Sequence, residues 1–443
     1  MTELRKRTFF SRMSFQRGSI FPGIAIAVCL LAGASALSAE PLRWVSDMVP
    51  EAEGRIVILP DGKKTQLRYP KWDDTDFSAY RTHGYSDPTK SLQISKAELP
   101  RYITGEPSKG KAIWDKSPCI NCHAVPSKNA ESWAGSMGPS LFGYGNRKVD
   151  PAHTFQMIYD PRVFFPSSIM PPWGASGLLS KEEIVHVVAY LNTLKADTAE
   201  TITPTQNPEI RKVPPRYFGD NLDPTINPAA LYAETASDLW HAAGPKQKSC
   251  QTCHSGSIAN AMNGVALRFP KYAKSYQRVV SLEDFLSVHA PATTGKNMPI
   301  GGNDNLNLTM LIKMASNGQT INIDLDDPDN KQAWGRGKET FYKRVGQRNH
   351  ACADCHSAER VNGKWLGGKY ISRADVKAGL TSSYPAWRTS FGESWSIRKR
   401  MQWCLLPHGA NYLPADAQEY ADLELYMTSF ENGKKMNVPG LKD

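Results

Sequence analysis

The 443-residue sequence predicts a mainly α fold that is divided into small domains, and two observations support this prediction. The pattern Cys-x-x-Cys-His occurs three times, and its copies lie more than a hundred residues apart. Apolar residues near these motifs recur every three or four positions, as on one face of a helix. A chain of this length also exceeds one ordinary hydrophobic core, so two or three domains are expected.

Cys-x-x-Cys-His is the pattern at which c-type haem is attached. Two thiols add to the vinyl groups, and the adjacent histidine faces the iron as proximal ligand. The alternatives are a zinc site or a disulfide framework, but zinc would need the pairs close together. We therefore predict three covalently bound haem c groups in three cytochrome c-like haem domains joined by irregular loops and linkers. The motif residues are Cys119, Cys122 and His123; Cys250, Cys253 and His254; and Cys352, Cys355 and His356.

The N-terminus has the order of residues found in a secretory signal. Basic residues precede the apolar run "SIFPGIAIAVCLLAGASALSA", which ends in small residues suited to a signal peptidase. We predict cleavage near Ala36 or Ala39 and a periplasmic location, with a retained membrane anchor as the alternative. No later stretch is apolar enough to span a bilayer, so we expect no stable membrane insertion after cleavage.

The net charge does not indicate a nucleic-acid partner. It is +10 for the whole chain and falls to +6 without the first 39 residues, which hold five Lys or Arg and one Glu. The propionates of three haems would offset much of the remainder. Basic runs interleaved with aromatic residues are not apparent. A mildly basic periplasmic protein with local patches is therefore expected.

Local signals place the domain boundaries. Each motif follows a short helical segment with an aromatic side chain: Trp114, Trp240, and Phe341 with Tyr342. Ser180 and Glu183 form a capping box before a helix with one apolar face, made of Ile184, Val187, Leu191 and Leu194. The predicted segments are a signal peptide at 1–39, an irregular extension at 40–99, haem domains at 100–196, 221–324 and 325–443, and a Pro-rich linker at 197–220.

An internal repeat relates the second and third haem domains. "LTMLIKMASNGQTINI" resembles "LELYMTSFENGKKMNV", and both are amphipathic helix ends closed by Asn-Gly, where glycine suits a left-handed cap. Counting back 28 residues from Asn317 reaches His289, and counting back 28 from Asn432 reaches Cys404. The repeat therefore places two residues that can bind iron at equivalent positions. We predict that His289 and Cys404 are the distal ligands of their haems.

Each distal ligand has an alternative. Cys404 lacks a disulfide partner, and a free cysteine is often a small buried residue; however, Arg398, Lys399 and Arg400 just upstream favour a negatively charged sulfur. Met298 in "GKNMPIGG" competes with His289 as ligand.

In the first domain the predicted distal ligand is Met170 in "PSSIMPPWG", whereas Met157 lies on a helical pattern and is expected in the core. Methionine raises the haem potential and thiolate lowers it, so electrons are expected to run from the Cys404 haem toward the Met170 haem.

At this point the motifs resemble a known system over roughly three quarters of the chain. "CINCHAVP", "GPSLFGYGNR" and "IMPPWGASGLLSKEEIVHVVAYLNTL" are similar to SoxX, the monohaem subunit of the sulfur-oxidising SoxXA complex. "CQTCH", "GRGKETFYKRVGQRNHACADCH", "SYPAW", "RMQWC" and "LELYMTSFENGKKMNVPG" are similar to SoxA. The chain therefore resembles a natural SoxX–SoxA fusion.

The resemblance implies an L-cysteine S-thiosulfotransferase that joins thiosulfate oxidatively to a cysteine of the carrier protein SoxYZ, with electrons passing to an acceptor c-type cytochrome. The catalytic cysteine of the family, which can carry a persulfide there, maps onto Cys404, and its arginine maps onto Arg400. Many dihaem relatives have a second distal cysteine where this chain has His289, which implies His/His ligation here. A guanidinium fork matches the oxygens of the thiosulfate dianion. Arg398 and Arg388 are weaker candidates for that contact.

Two other functions stay open on the sequence. A thiosulfate dehydrogenase that forms tetrathionate also uses a His/Cys haem and needs no carrier. A trihaem electron-transfer cytochrome would use Cys404 only to set a potential.

Mass spectrometry of the mature protein tests the predicted processing and haem count together. We expect a chain that begins after Ala36 or Ala39 and carries the mass of three haem c groups. A spectrum with fewer haems, or with the N-terminus intact, would contradict the corresponding prediction.

Overall fold

The computed structural model describes residues 56–58, 64–66, 92–125, 135–195, 227–357, 365–366, 369–370, 381–388, 391–410 and 412–442, all within the compact unit Leu42–Asp443. The predicted signal peptide and Pro-rich linker lie outside these residues. Twelve α-helices occur in the described part, which confirms a mainly α fold, and none of them is long and apolar enough to cross a bilayer. A short antiparallel hairpin, β1 (Ile56–Ile58) and β2 (Lys64–Gln66), precedes them.

The first helical region contains α1 (Pro107–Lys116), α2 (Pro151–Tyr159) and α3 (Lys181–Thr193). The predicted capping box is present: Ser180 Oγ accepts from the Glu183 amide, and the Glu183 carboxylate accepts from the Ser180 amide. The predicted apolar face of α3 is buried in the core of this region.

The second region contains α4 (Ala230–His241), α5 (Cys250–Cys253), α6 (Ile258–Ala261), α7 (Leu282–Thr293) and α8 (Asn303–Met314). An antiparallel pair, β3 (Lys271–Ala273) and β4 (Arg278–Val280), lies between α6 and α7. The apolar core here collects side chains from α4, α7 and α8.

The third region contains α9 (Pro328–Tyr342), α10 (Cys352–His356), α11 (Ile397–Leu405) and α12 (Gln418–Ser429). A two-residue pair, β5 (Trp365–Leu366) and β6 (Lys369–Tyr370), follows α10. The strands β7 (Ala386–Arg388), β8 (Glu393–Trp395) and β9 (Gly440–Lys442) form one small sheet, in which β7 is antiparallel to β8 and parallel to β9.

All three regions use the same helix crossing. α1 packs on α3, α4 on α8, and α9 on α12. A small residue permits the close approach: a Cβ on Gly110 would lie 1.9 Å from the His186 carbonyl oxygen, and one on Gly337 would lie 2.1 Å from that of Asp422. The aromatic residues expected before each motif are buried here: Trp114, Trp240 and Phe341.

The repeated Asn-Gly segments pack against each other across a local two-fold arrangement. Asn317 exchanges two hydrogen bonds with the backbone of Val438, at 2.6 and 2.9 Å, and Asn432 does the same with Ile323, at 2.7 and 2.9 Å. Gly318 and Gly433 have φ of 77° and 82°, which confirms the predicted left-handed caps. The repeat therefore also forms one of the contacts that join its two copies.

Residues before the first motif run along the first region. Arg162 donates to the carbonyls of Leu92 and Gln93 at 2.7 and 2.8 Å, and the Ser95 amide donates to Asp160 at 2.8 Å. The end of the predicted extension is thus packed on this region.

Gly337→Ala should destabilise the protein, because the added methyl group meets a backbone oxygen that cannot move independently. We expect a loss of about 1–3 kcal/mol in the free energy of unfolding, which is typical of overpacking. Gly335→Ala is the matched control on the same helix, since a Cβ there meets nothing within 4 Å. That variant should gain about 0.4–1 kcal/mol through the unfolded state. Equal effects in denaturant unfolding would contradict the crossing described above.

Candidate active site

The first and third Cys-x-x-Cys-His motifs open onto one shared cavity of about 1250 Å³. This exceeds the roughly 300–1,000 Å³ of an ordinary ligand pocket. Within the described residues, the second motif contributes nothing to its lining. The predicted site residues that line it are Cys119, Cys122, His123, Met170, Cys352, Cys355, His356, Arg400 and Cys404. Residues from opposite ends of the sequence thus meet in one space.

In the first motif, His123 is oriented by a backbone contact. Its Nδ1 lies 2.8 Å from the carbonyl oxygen of Pro139, so Nδ1–H donates and Nε2 is left to bind metal. A Cβ on Gly138 would lie 2.4 Å from the His123 ring, so glycine is required beside it. Burial lowers the pKa of His123, which favours the neutral ring that binds metal.

Two methionines line the cavity near this motif. Met170 is half-buried, and its amide donates to Ser168 Oγ at 3.1 Å. Met157, expected in the core, is instead half-buried on α2 and lines the same cavity. The reason is that α2 turns this residue toward the cavity while its neighbours Phe155 and Ile158 enter the core.

In the second motif, His254 and His289 face each other. Their ring centroids are 6.1 Å apart. Two imidazoles on one metal, each at about 2.0–2.1 Å from it, have centroids about 6 Å apart. Burial and the charge of His254 lower the pKa of His289, and Phe285 stacks on its ring at 4.9 Å. The rival Met298 is 1% exposed and lies within the apolar core.

In the third motif, Cys404 and Arg400 are in direct contact. The Arg400 Nη1 donates to Cys404 Sγ at 3.0 Å, and its guanidinium lies 4.6 Å from the centre of the Trp403 ring. Burial and then the charge of Cys404 raise the pKa of Cys352 to about 12, and burial with nearby acidic groups including Cys404 raises that of Cys355 to about 12. Cys404 therefore lies beside the third motif and accepts a hydrogen bond from the guanidinium of Arg400.

The other two basic residues upstream of Cys404 bind carboxylates, whereas the sequence suggested that they favour a negatively charged sulfur. Arg398 is 1% exposed and donates to Asp284 and to Glu424, the latter at 3.0 Å. Lys399 donates to Glu393 at 2.9 Å. The expectation that Arg398 could bind substrate is therefore wrong, because its guanidinium is already bound by buried carboxylates.

Sequence reasoning missed a histidine pair in the cavity wall. His350 and His408 approach with their Nδ1 atoms 3.0 Å apart, and His350 Nε2 lies 2.7 Å from the carbonyl oxygen of Ile169. Burial lowers the pKa of both rings. The position of His408, four residues after Cys404, was a signal that could have been used. The partner His350 could not be found from spacing, since it is 58 residues away.

The charged residues of the cavity wall are mostly basic. Among the described residues that line it, Lys343, Arg348, Arg388 and Arg400 are cationic, and Glu419 is acidic. Arg388, the remaining weaker candidate, lies with its guanidinium 5.5 Å from the centre of the Trp395 ring. This arrangement attracts small anions.

The residues present fit a covalently bound haem. Each motif offers two unpaired thiols and one imidazole, and the cavity wall is largely apolar. The buried indole N–H of Trp114, which lines the cavity, has no hydrogen-bond partner among protein atoms. A propionate would supply an acceptor for that donor.

Comparison with known proteins agrees with this chemistry. Residues 235–321 match the family model described as SoxA/TsdA, cytochrome c domain, and residues 105–191 match the one described as cytochrome c oxidase, cbb3-type, subunit III. Both matched segments contain a Cys-x-x-Cys-His motif, so the chain carries covalently bound haem c.

Relatives include two proteins named L-cysteine S-thiosulfotransferase subunit SoxA. The one from Pseudaminobacter salicylatoxidans is 29% identical over 222 residues, which are 50% of this chain and 75% of that protein. The one from Chlorobaculum thiosulfatiphilum is 30% identical over 214 residues, 48% of this chain and 71% of that protein. The crystal structure of SoxXA from P. pantotrophus aligns at a TM-score of 0.43 and 24% identity, over 48% of this chain and 78% of that chain.

Replacing His289 should change one haem. His289→Ala removes the ring that faces His254, so we expect one low-spin haem to become high-spin in the absorption and electron paramagnetic resonance spectra. Met298→Ala is the control, because the Met298 side chain packs in the core; it should lower stability and leave the spectra unchanged. The reverse outcome would identify Met298 as the ligand.

Proposed function

The chain belongs to the SoxA family of L-cysteine S-thiosulfotransferase subunits, and we propose that it joins thiosulfate to a cysteine thiol of a carrier protein, SoxYZ. The contact between Arg400 and Cys404 inside a basic cavity is the observation that carries this proposal. The SoxX-like first domain would make this single chain the counterpart of a two-subunit complex. The predicted N-terminal signal and covalent haem attachment support a periplasmic location.

The reaction balances as an oxidation. A disulfide bond forms between the outer sulfur of thiosulfate and the carrier sulfur, which gives a protein S-thiosulfonate. The carrier thiol loses its proton, and two electrons leave together with it. An acceptor c-type cytochrome is the class of protein that would take up these electrons.

Arg400 has two parts in this scheme. Its guanidinium donates to Cys404 Sγ and would also bind the oxygens of thiosulfate, for which its planar fork is suited. The ring of Trp403 beneath it limits where the guanidinium can turn. Cys404 Sγ would form a disulfide bond with the outer sulfur of thiosulfate as two electrons leave to the acceptor cytochrome. Attack of the carrier thiolate on that outer sulfur would then transfer the S–SO3 group to the carrier and release the Cys404 thiolate. Haem c, when bound, supplies acceptance of single electrons, while the protein supplies orientation and charge.

The proposed haem ligands are the residues that the sequence predicts. They are His123 with Met170, His254 with His289, and His356 with Cys404, on three haem groups attached through the six motif cysteines. The first and third motifs line one cavity, which supports direct electron transfer from the haem that would bind Cys404 to the haem that would bind Met170. Within the described residues, the second motif does not line this cavity, so its haem would not lie on this route.

A thiosulfate dehydrogenase is the second candidate. The matched family model covers both SoxA and TsdA cytochrome domains, which is the observation that favours it. This enzyme would couple two thiosulfate ions to tetrathionate, with two electrons released and no carrier protein. The need for a carrier therefore separates the two candidates.

Thiosulfate should reduce the haems of the purified protein only when the carrier is present. We expect Cys404→Ala to abolish this reduction and to retain all covalent haem, because the motif cysteines are unchanged. Arg400→Lys keeps the charge and loses the fork, so a fall in rate of about 10–100-fold is expected for one lost charged hydrogen bond. Reduction is followed by stopped-flow absorbance, and the carrier adduct by mass spectrometry.

Three outcomes would change the conclusion. Tetrathionate formation without carrier would establish the dehydrogenase. Absence of both reactions would leave a trihaem electron-transfer cytochrome. Full activity in Cys404→Ala would exclude the proposed site, whichever reaction is observed.

A further inference from the structure

The loop that carries Met170 is held by side chains of the third region. Three successive carbonyl oxygens, those of Ser167, Ser168 and Ile169, each accept a hydrogen bond from across the cavity. Arg344 Nη2 donates to Ser167 at 2.6 Å, and Nη1 donates to Ser168 at 2.6 Å. His350 Nε2 donates to Ile169 at 2.7 Å. The backbone is thus fixed up to the residue immediately before Met170.

Arg344 is itself fixed by the third motif. Its Nε and Nη2 donate to the two carboxylate oxygens of Asp354, both at 3.1 Å. Asp354 lies between Cys352 and Cys355, is 1% exposed, and also accepts from the Ala351 amide at 2.9 Å. One edge of the guanidinium therefore donates to Asp354 in the haem-attachment motif of the third region. Its remaining N–H groups donate to carbonyl oxygens of the Met170 loop.

His350 forms a second connection, to the distal side of the third site. Its Nδ1 meets Nδ1 of His408, which follows Cys404 by one helical turn. Because Nε2–H of His350 donates to Ile169, its Nδ1 accepts, and His408 supplies the proton between them. The Met170 loop is thus linked both to the motif and to the segment beyond Cys404.

The hydrogen bonds within the loop itself join residues that are only two or three positions apart. The Ser168 amide donates to the Phe165 carbonyl at 2.8 Å, and the Met170 amide donates to Ser168 Oγ at 3.1 Å. A thioether is a weak ligand on a flexible stem, so its hold on a metal depends on how firmly its backbone is placed. The contacts from Arg344 and His350 supply that placement.

We propose that Arg344 and His350 are positioning residues that hold Met170 in place as the distal ligand of the first haem, and so tie that haem's ligation to the integrity of the third site. This rests on the proposed ligation by Met170. It assigns a role to two residues that touch neither substrate nor the first motif. Their effect would be on the potential of the electron-receiving haem.

The test compares two Arg–Asp pairs in the full holoprotein. Arg344→Gln removes the bonds to Ser167 and Ser168. Arg336→Gln is the matched control, since Arg336 also forms a bidentate pair with an aspartate, Asp422, at 2.7 and 3.1 Å, but within the third region.

Arg344→Gln should weaken the absorption band of thioether-ligated haem and lower the midpoint potential of that haem. Hydrogen exchange of the amides at 167–170 should speed up about tenfold or more, as expected for a lost charged hydrogen bond. Arg336→Gln should change none of these.

A second pair of variants guards against simple misfolding. His350→Ala should produce the same spectral and exchange changes, and His350→Gln should restore part of them, because its amide can still donate to Ile169. If Arg344→Gln and His350→Ala both behave like Arg336→Gln, the positioning role is wrong.

Met170→Ala separates this failure from failure of the ligand assignment. If that variant changes the spectrum while the Arg344 and His350 variants do not, ligation stands and the positioning role falls. If Met170→Ala leaves the spectrum unchanged, the assignment of Met170 is wrong, and the positioning role falls with it.

Discussion

Helix α11 carries both Arg400 and Cys404, and its placement depends on the buried guanidinium of Arg398. That group binds Asp284 on α7 and Glu424 on α12, and it also donates to the Ala415 carbonyl at 2.7 Å. Breaking such a buried pair by removing one partner typically costs about 3–5 kcal/mol, since a charge is left without compensation. The same contact connects α7, which carries His289, to the helix that carries Cys404, the proposed catalytic thiol. Two helices that carry proposed haem ligands are therefore joined through one cation.

Acidic side chains outnumber basic ones in the buried region around Arg398. Glu283 and Asp416 lie in the same buried region, and burial raises the pKa of each to about 7. A carboxyl group whose pKa is higher in the folded protein stabilises the fold at low pH, and this contribution is lost as the pH rises from its unfolded value to about 7. At neutral pH, part of the stability of this junction is consequently sensitive to protonation.

The second and third regions share a framework and differ in what surrounds their motifs. Both copies keep the crossing of the first and last helices and the Asn-Gly segment, and these segments now bind each other through Asn317 and Asn432. The copies differ in what surrounds the motif. In the second region the rings of His254 and His289 lie 6.1 Å apart and Cys253 of the motif is exposed, whereas the third motif lines the cavity that it shares with the first region. The same framework therefore surrounds two motifs with different environments.

The sequence by itself determined the haem-attachment motifs, the capping box at Ser180, the repeat and the pairing of Arg400 with Cys404. These features are local: residues four apart on a helix lie on one face, so their contact follows from spacing. Tertiary structure decided the rest. Arg398 and Arg400 are two residues apart and therefore about 200° apart around α11, so only packing decided which of them is bound by buried carboxylates of other helices. The contacts of Arg344 and His350 with the Met170 loop join residues about 180 positions apart in the chain, and the first and third motifs, which share one cavity, are more than 200 positions apart. Only packing brings such residues together.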